Sequence, residues 1–133
     1  MIGALVLLAQ MAPMPSVPKP IPATIAAIRA NPRKFDGRIV RLHGWVNHCQ
    51  TLSCSIEERP ATASGGSGEH LSIATNAKFD ATVTPLLPTY VEFDAQVSAR
   101  CLTAATVCSD RAPDLTIVTL RSVVSPEPPE IEN

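Results

Sequence analysis

Histidine and cysteine residues cluster in the middle of the chain, where they could form a metal site. The set comprises His43, His48, Cys49 and Cys54. Thiolate and imidazole are the usual ligands of structural zinc, but these spacings differ from the C-x2-C and H-x3-H pairs typical of such sites. We therefore predict no metal and no cofactor, with zinc at this set as the alternative.

The four cysteines fall into two close pairs, Cys49 with Cys54 and Cys101 with Cys108. Four cysteines permit three connectivities, and proximity in the chain favours these two. Oxidising compartments preserve such pairs, and small exported domains use them as staples. Each short loop would stabilise the fold by about 2–2.5 kcal/mol in the chain-entropy model. We predict two disulfides; reduced thiols are the alternative.

Patterns typical of catalysis are lacking. Neither G-x-S-x-G nor H-E-x-x-H occurs in the sequence. The glycine-rich run at residues 64–68 lacks the Gly-Lys-Ser/Thr ending of a phosphate-binding loop, and we expect a flexible loop there. Glu57, Glu58, Glu69 and His70 form a conceivable acid/base set, but nothing in their spacing forces them together, and adjacent glutamates are usually solvated surface. We predict no catalytic residues and no enzymatic activity.

The candidate ligand-binding residues lie at the start of a predicted strand, at residues 38–46. They are Arg38, Arg41, His43 and Trp45. A tryptophan beside cationic side chains is a common arrangement for ligand recognition. The alternative is that Trp45, the only tryptophan, packs in the barrel or under the N-terminal helix while Arg41 and His43 are solvated. A bulge at Gly44 would reverse the alternation and turn Trp45 inward.

The elements that position these residues follow from periodicity and from turn signals. Thr24 is suited to cap a short helix at residues 25–30, which Asn31-Pro32 ends. A turn at Asp36-Gly37 precedes the first strand. Alternation then predicts five strands, with a helical or irregular crossover at residues 77–87 between the third and the fourth. The strands are residues 38–46, 53–58, 71–75, 90–100 and 115–124. This is the element order of a five-stranded Greek-key barrel.

Residues 25–46 resemble the opening of bacterial OB-fold proteins of the nucleic-acid-binding-like (tRNA anticodon-binding-like) type. The shared pattern is a short helix, an Asn-Pro, an aromatic-Asp-Gly turn and a strand of the form V-x-L-x-G-x-V. The matching residues are Asn31, Pro32, Phe35, Asp36, Gly37, Val40, Leu42, Gly44 and Val46. The resemblance implies an all-β, five-stranded OB-like Greek-key barrel with a short N-terminal helix. It also implies a ligand face on strands two and three and on loops 47–52 and 102–113.

Composition limits the classes of partner. Aromatic residues are 4% of the chain, the formal charge is −1 and the pI is about 6.3. A nucleic-acid-binding domain ordinarily carries a basic surplus and several exposed aromatics. We therefore predict a non-catalytic binding module for a protein or cell-envelope component, with single-strand nucleic-acid binding through Arg38, Arg41 and Trp45 as the alternative.

The N-terminal segments of the chain predict export. Residues 1–12 are signal-peptide-like, with a continuous apolar run at 2–9 that is too short to span a bilayer. The alternative is a short strand or helix packed on the domain. Residues 13–22 contain five prolines and predict an extended linker. The OB-like domain would then occupy residues 23–125, followed by a flexible acidic tail at 126–133. We predict a periplasmic or secreted protein without an integral membrane segment.

Overall fold

The computed structural model of the protein describes residues 18–103, 108 and 112–124. Within these residues the protein is mostly β, with one six-stranded sheet, few helices and 20% helical content. The strands are β1 (Ile21–Pro22), β2 (Ile39–Gln50), β3 (Ser53–Glu57), β4 (His70–Ala74), β5 (Thr89–Val97) and β6 (Leu115–Val124). The helices are α1 (Ile25–Ala30), α2 (Pro32–Phe35) and α3 (Ala77–Val83), and a 3-10 turn (Thr84–Leu86) follows α3. The apolar segment 1–12, most of the predicted linker and the tail 126–133 lie outside the described residues.

The strand order is β1-β2-β3-β4-β6-β5, and β2 pairs with β5 as well as with β3. All pairings are antiparallel except β1 with β2 and β4 with β6. The five predicted strands are present, but the predicted count is wrong because the end of the predicted linker forms β1. Proline is tolerated there because it lies at the sheet edge, where a missing N–H disrupts no inner ladder.

The N-terminal helix is confirmed at its predicted bounds. The Thr24 hydroxyl accepts a hydrogen bond from the Ala27 amide at 3.0 Å, and Ile25 and Ile28 are buried. The four-residue α2 was not predicted, because Asn31-Pro32 was interpreted only as a stop signal. Proline is well suited to the first turn of a new helix, since that turn needs no amide donor. This second helix carries Phe35 into the core.

The core lies between the inner faces of the strands and the apolar sides of the helices. From β2 it contains Val40, Leu42 and Val46, the even-numbered positions of the predicted alternation. Phe79 of α3 meets Phe93 of β5 edge-on, with ring centroids 6.5 Å apart. All three phenylalanines of the chain are therefore buried in this core.

Gly44 permits close contact between two strands. A β-carbon at this position would lie 2.9 Å from the Glu57 carbonyl oxygen and 3.0 Å from the Ile56 side chain. The bulge considered at Gly44 is absent from the pairing of β2 with β5, whose register runs without a shift from Ile39 to Val46. The irregularity lies instead between Val46 and His48, opposite β3. The alternation therefore continues unbroken through Trp45.

β5 ends three residues before its predicted end at Arg100. After Val97 the backbone leaves the ladder, and the Ser98 amide donates to the Asp114 carbonyl at 2.9 Å. The Ala99 amide donates to the Asp36 carboxylate, also at 2.9 Å. Ser98 and Ala99 are thus held by residues of the neighbouring loops rather than by β6.

Both predicted disulfides are present. Cys49 and Cys54 lie directly opposite each other in the β2–β3 hairpin and are bonded. Cys101 and Cys108 are bonded in the connection between β5 and β6. The first bond removes two thiolates from the alternative zinc set, so the metal site considered from the sequence loses half of its ligands.

Candidate functional site

The outer face of β2 carries three of the four predicted ligand-binding residues. Arg41, His43 and Trp45 alternate with the buried residues of the strand and point away from the core. Arg38 precedes the strand and does not join them. It lines a separate cleft of about 330 Å³ with Ile21 and Gln96.

Trp45 lies beside Tyr90 on this outer face. The two residues are cross-strand partners between β2 and β5, and their rings meet edge-on with centroids 5.6 Å apart. Trp45 does not pack inside the barrel, as one part of the alternative prediction had it, because its side chain is only half-buried and is not part of the core. The uninterrupted register at Gly44 explains the difference, since a bulge would have been needed to turn it inward.

The Tyr90 hydroxyl connects the tryptophan to His43. It lies 2.7 Å from His43 Nδ1, and the two rings are 5.8 Å apart. His43 itself is exposed. The three rings thus form a continuous group across β2 and β5, which we call the aromatic cluster (His43, Trp45 and Tyr90). Sequence reasoning missed Tyr90, because its pairing with β2 depends on the sheet register.

A charged group lies farther along the same face. Asp94 of β5 is only 3% exposed, and its carboxylate accepts from Arg41 Nε at 3.0 Å and from Arg121 Nε at 2.8 Å. Alternation along β5 places Asp94 on the outer face of the sheet. The residue is nevertheless buried, because two arginine side chains, each more than one third exposed, cover it.

Hydrogen bonding to Asp94 raises the pKa of Arg41 above its ordinary value. Partial desolvation opposes this shift, and the negative charges of Asp94 and Glu92 add to it. A raised folded-state pKa stabilises the fold at every pH below the ordinary pKa of arginine, and this contribution is lost only as the pH rises above it. The Arg41 charge is therefore constant across the working pH range.

Arg121 reaches Asp94 from an irregular part of β6. The register of β5 with β6 shifts between Glu92 and Phe93. Glu92 pairs with Ser122 and Phe93 pairs with Leu120, so Arg121 has no partner on β5. Bulges of this kind redirect side chains. Nothing in the sequence spacing indicates that Arg121 meets Asp94, which lies 27 residues earlier.

A cleft of about 180 Å³ lies next to the aromatic cluster. Its walls include His43, Tyr90 and Glu58 together with the first residues of α1. The Glu58 carboxylate accepts from the Glu69 amide at 2.7 Å. Glu58 is the member of the conceivable acid/base set that borders this cleft, together with His43. Its carboxylate also holds the loop before β4, through the hydrogen bond from the Glu69 amide.

The outer surface of β3 and β4 has a different character. A shallow cleft of about 310 Å³ is lined there by small polar and imidazole side chains, including His48, Ser55, His70 and Ser72. The described residues lining it include no aromatic six-membered ring. This is the face that the OB resemblance implies for ligands, and the second implied loop, 102–113, falls largely outside the described residues.

No protein-family model matches the chain, and no curated protein matches it. Among the described residues, no helix is long and apolar enough to span a bilayer. Across the same residues, no group of three or more His, Cys, Asp or Glu side chains is placed to hold a metal ion. The geometry of the outer face is therefore the basis for a functional assignment. It offers an aromatic surface, an imidazole and two guanidinium groups, which are groups suited to recognition.

Proposed function

We propose that this protein is a non-catalytic, exported OB-fold binding module that contacts a protein or a cell-envelope component through the outer face of β2 and β5. The observation that carries the proposal is the position of Trp45. The chain's only tryptophan lies half-buried on the outer face beside its only tyrosine, while all three phenylalanines are buried in the core. Aromatic residues of this kind, with few rotatable bonds and a polar tip, dominate binding surfaces.

The strand pairings support an OB-like barrel. β2 pairs with β3 on one side and with β5 on the other, and β5 continues through β6 to β4. The pairings therefore return to β2, as closure of a sheet requires. The absence of a side chain at Gly44 allows β2 to contact β3 closely while it pairs with β5.

Two disulfides support export. Oxidised cysteine pairs are typical of periplasmic and secreted proteins and rare in reducing compartments. The signal-peptide-like composition of residues 1–12 agrees with this localisation.

Several features favour a protein or envelope partner over a single-stranded nucleic acid. Arg41 is engaged by Asp94, and Arg38 lies away from Trp45. Trp45 and Tyr90 contact each other edge-on instead of presenting separate flat platforms for stacked bases. The net charge of −1 provides no general attraction for a phosphate backbone.

Export is tested by the mass of the protein isolated from its native host, with and without reduction before alkylation. We expect loss of the N-terminal segment and four cysteines that react only after reduction. An intact N-terminus with four free thiols would contradict export.

Binding is tested by placing a photo-reactive amino acid at position 92 of the full chain in the native host, because Glu92 pairs with His43 on the outer face and its replacement leaves the aromatic cluster intact. The control position is Arg33, which is exposed on α2, outside both the aromatic cluster and α3. We expect a discrete adduct from position 92 and none from position 33. No adduct at either position would refute the proposal. Salt-sensitive quenching of Trp45 fluorescence by a single-stranded oligonucleotide would favour the nucleic-acid alternative.

A further inference from the structure

Leu52, at the tip of the β2–β3 hairpin, has an unusual backbone conformation. Its φ angle is +56°, and it is the only described residue other than glycine with a positive φ. This left-handed region brings the β-carbon close to the following carbonyl oxygen, and a bulky side chain there is a genuine outlier. A leucine in this conformation lowers the folding equilibrium constant by about fivefold or more, compared with a residue such as asparagine that tolerates the left-handed region.

Three attachments hold the tip in this conformation. The Leu52 amide donates to the Asp80 carboxylate at 2.8 Å, and its carbonyl accepts from the Thr75 amide at 3.0 Å. The Cys49–Cys54 disulfide closes the hairpin three residues before the tip. The hairpin tip is therefore docked on the start of α3 and is fixed before any partner binds.

Burial does not compensate for this strain. The Leu52 side chain is 50% exposed and is not part of the core. Strained residues of this kind persist where the surrounding structure enforces them, and they concentrate at functional sites. An isolated exposed leucine with an ordinary backbone conformation would need no explanation. An exposed leucine needs one when its backbone conformation suits glycine or asparagine instead.

We propose that Leu52 is a preformed apolar anchor that inserts into an apolar pocket on a protein partner. This inference rests on the proposed binding function and narrows it, because a pocket for one leucine is a property of a protein surface. A fixed tip loses little conformational entropy on binding, which increases the affinity gained from a single side chain. A cleft of about 360 Å³ lies beside the tip, between Thr51, Asp80 and Thr84. It leaves room for the residues of the partner that surround the pocket for Leu52.

A membrane surface is a poorer fit. One leucine buries too little apolar area to hold a protein on a bilayer, where even a single long acyl chain gives only marginal binding. The Asp80 carboxylate beside the tip would also be repelled by anionic lipids.

The strain is tested by comparing urea unfolding of the full chain and its variants. Leu52→Asn should raise the folding equilibrium constant by about fivefold, because asparagine tolerates the left-handed region. Leu52→Ala should change it by less than about twofold, because it removes an exposed side chain and keeps the conformation. A loss of stability in Leu52→Asn would show that the leucine stabilises the fold, and the proposal would fail.

The anchor is tested with a photo-reactive amino acid at position 84, across the cleft from the tip, in the native host. An adduct with a protein should form in the wild type and fall by about tenfold or more in Leu52→Ala and Leu52→Asn, as loss of one buried leucine predicts. Leu86→Ala is the matched control. Leu86 is a second exposed leucine, at 41% exposure, and it lies two residues from the photo-reactive position in the chain. It should leave the adduct unchanged.

The outcomes separate this inference from the proposed function. An adduct at position 92 but none at 84, or one at 84 that is insensitive to Leu52→Ala, refutes the anchor and leaves the binding module in place. No adduct at 92 or 84 refutes both. Leu52-dependent sedimentation with phosphatidylglycerol vesicles would replace the protein pocket with a lipid surface.

Discussion

Arg121 Nε lies 2.8 Å from Asp94 Oδ2, and the carboxylate is buried although it points to the outer face of the sheet. Arg41 completes the group from the other neighbouring strand. One carboxylate thus links β2, β5 and β6 beside the aromatic cluster. These side-chain hydrogen bonds link the three strands at the surface that we propose for binding.

Asp94→Asn should lower the free energy of unfolding by about 1–3 kcal/mol, because the amide keeps the shape but loses charge-assisted hydrogen bonds. Urea unfolding measures the change as a lower midpoint with an unaltered slope. Glu92→Gln is the matched control on the same strand and face, and it should stay within about 0.5 kcal/mol of wild type. Equal effects of the two substitutions would show that Asp94 has no special structural role.

Gly44→Ala should destabilise the protein by about 1–3 kcal/mol or more, because the new methyl group would lie 2.9 Å from the backbone oxygen of Glu57. Thermal unfolding reports the loss as a lower melting temperature. Gly37→Asn serves as the comparison, because Gly37 has a φ of +74° and open space around it. Asparagine should be tolerated there, so a large loss at Gly37 and none at Gly44 would contradict the close strand contact.

Replacing Cys49 and Cys54 together by alanine should lower the free energy of unfolding by about 2 kcal/mol, the value expected for so short a loop. Because this disulfide closes the hairpin that carries Leu52, amide exchange at the tip should also accelerate. The Cys101/Cys108 double alanine variant provides the control. It should show a similar loss of stability without faster exchange at Leu52.

Trp45→Ala should destabilise the protein less than Phe93→Ala, which removes a fully buried ring and should cost about 3–5 kcal/mol. Trp45 fluorescence should also be accessible to iodide, because the side chain is only half-buried. As the only tryptophan, it reports on this surface alone. If iodide did not quench Trp45 fluorescence in the isolated protein, the outer face of β2 would be covered, which would contradict its proposed role as a free binding surface.

Much of the fold was predictable because its signals are local. Thr24 and Pro32 define α1 through capping chemistry and backbone restriction, and the structure has the helix at those bounds. The alternation of Val40 and Leu42 with polar residues sets the inner face of β2, since successive side chains in a strand point to opposite sides. The short spacing within each cysteine pair likewise predicted the disulfides.

The composition of the candidate site was less predictable. Arg41, His43 and Trp45 were found from one strand, because a single alternating segment places them on one face. Tyr90 and Arg121 were missed, because they join the face only through the pairing of β2 with β5 and of β5 with β6.

The sequence by itself determined the local elements, the two faces of each strand and the cysteine pairs, because these depend on residues only a few positions apart. Only the tertiary structure decided that Asp94 is buried, that Trp45 stays outside and that Leu52 takes a strained conformation. Each of these depends on contacts between distant segments: two arginines covering one carboxylate, an unbroken register past Gly44, and a hairpin tip held by Asp80. Sequence periodicity records which side of a strand a residue faces, but register and strand contacts determine what it meets there.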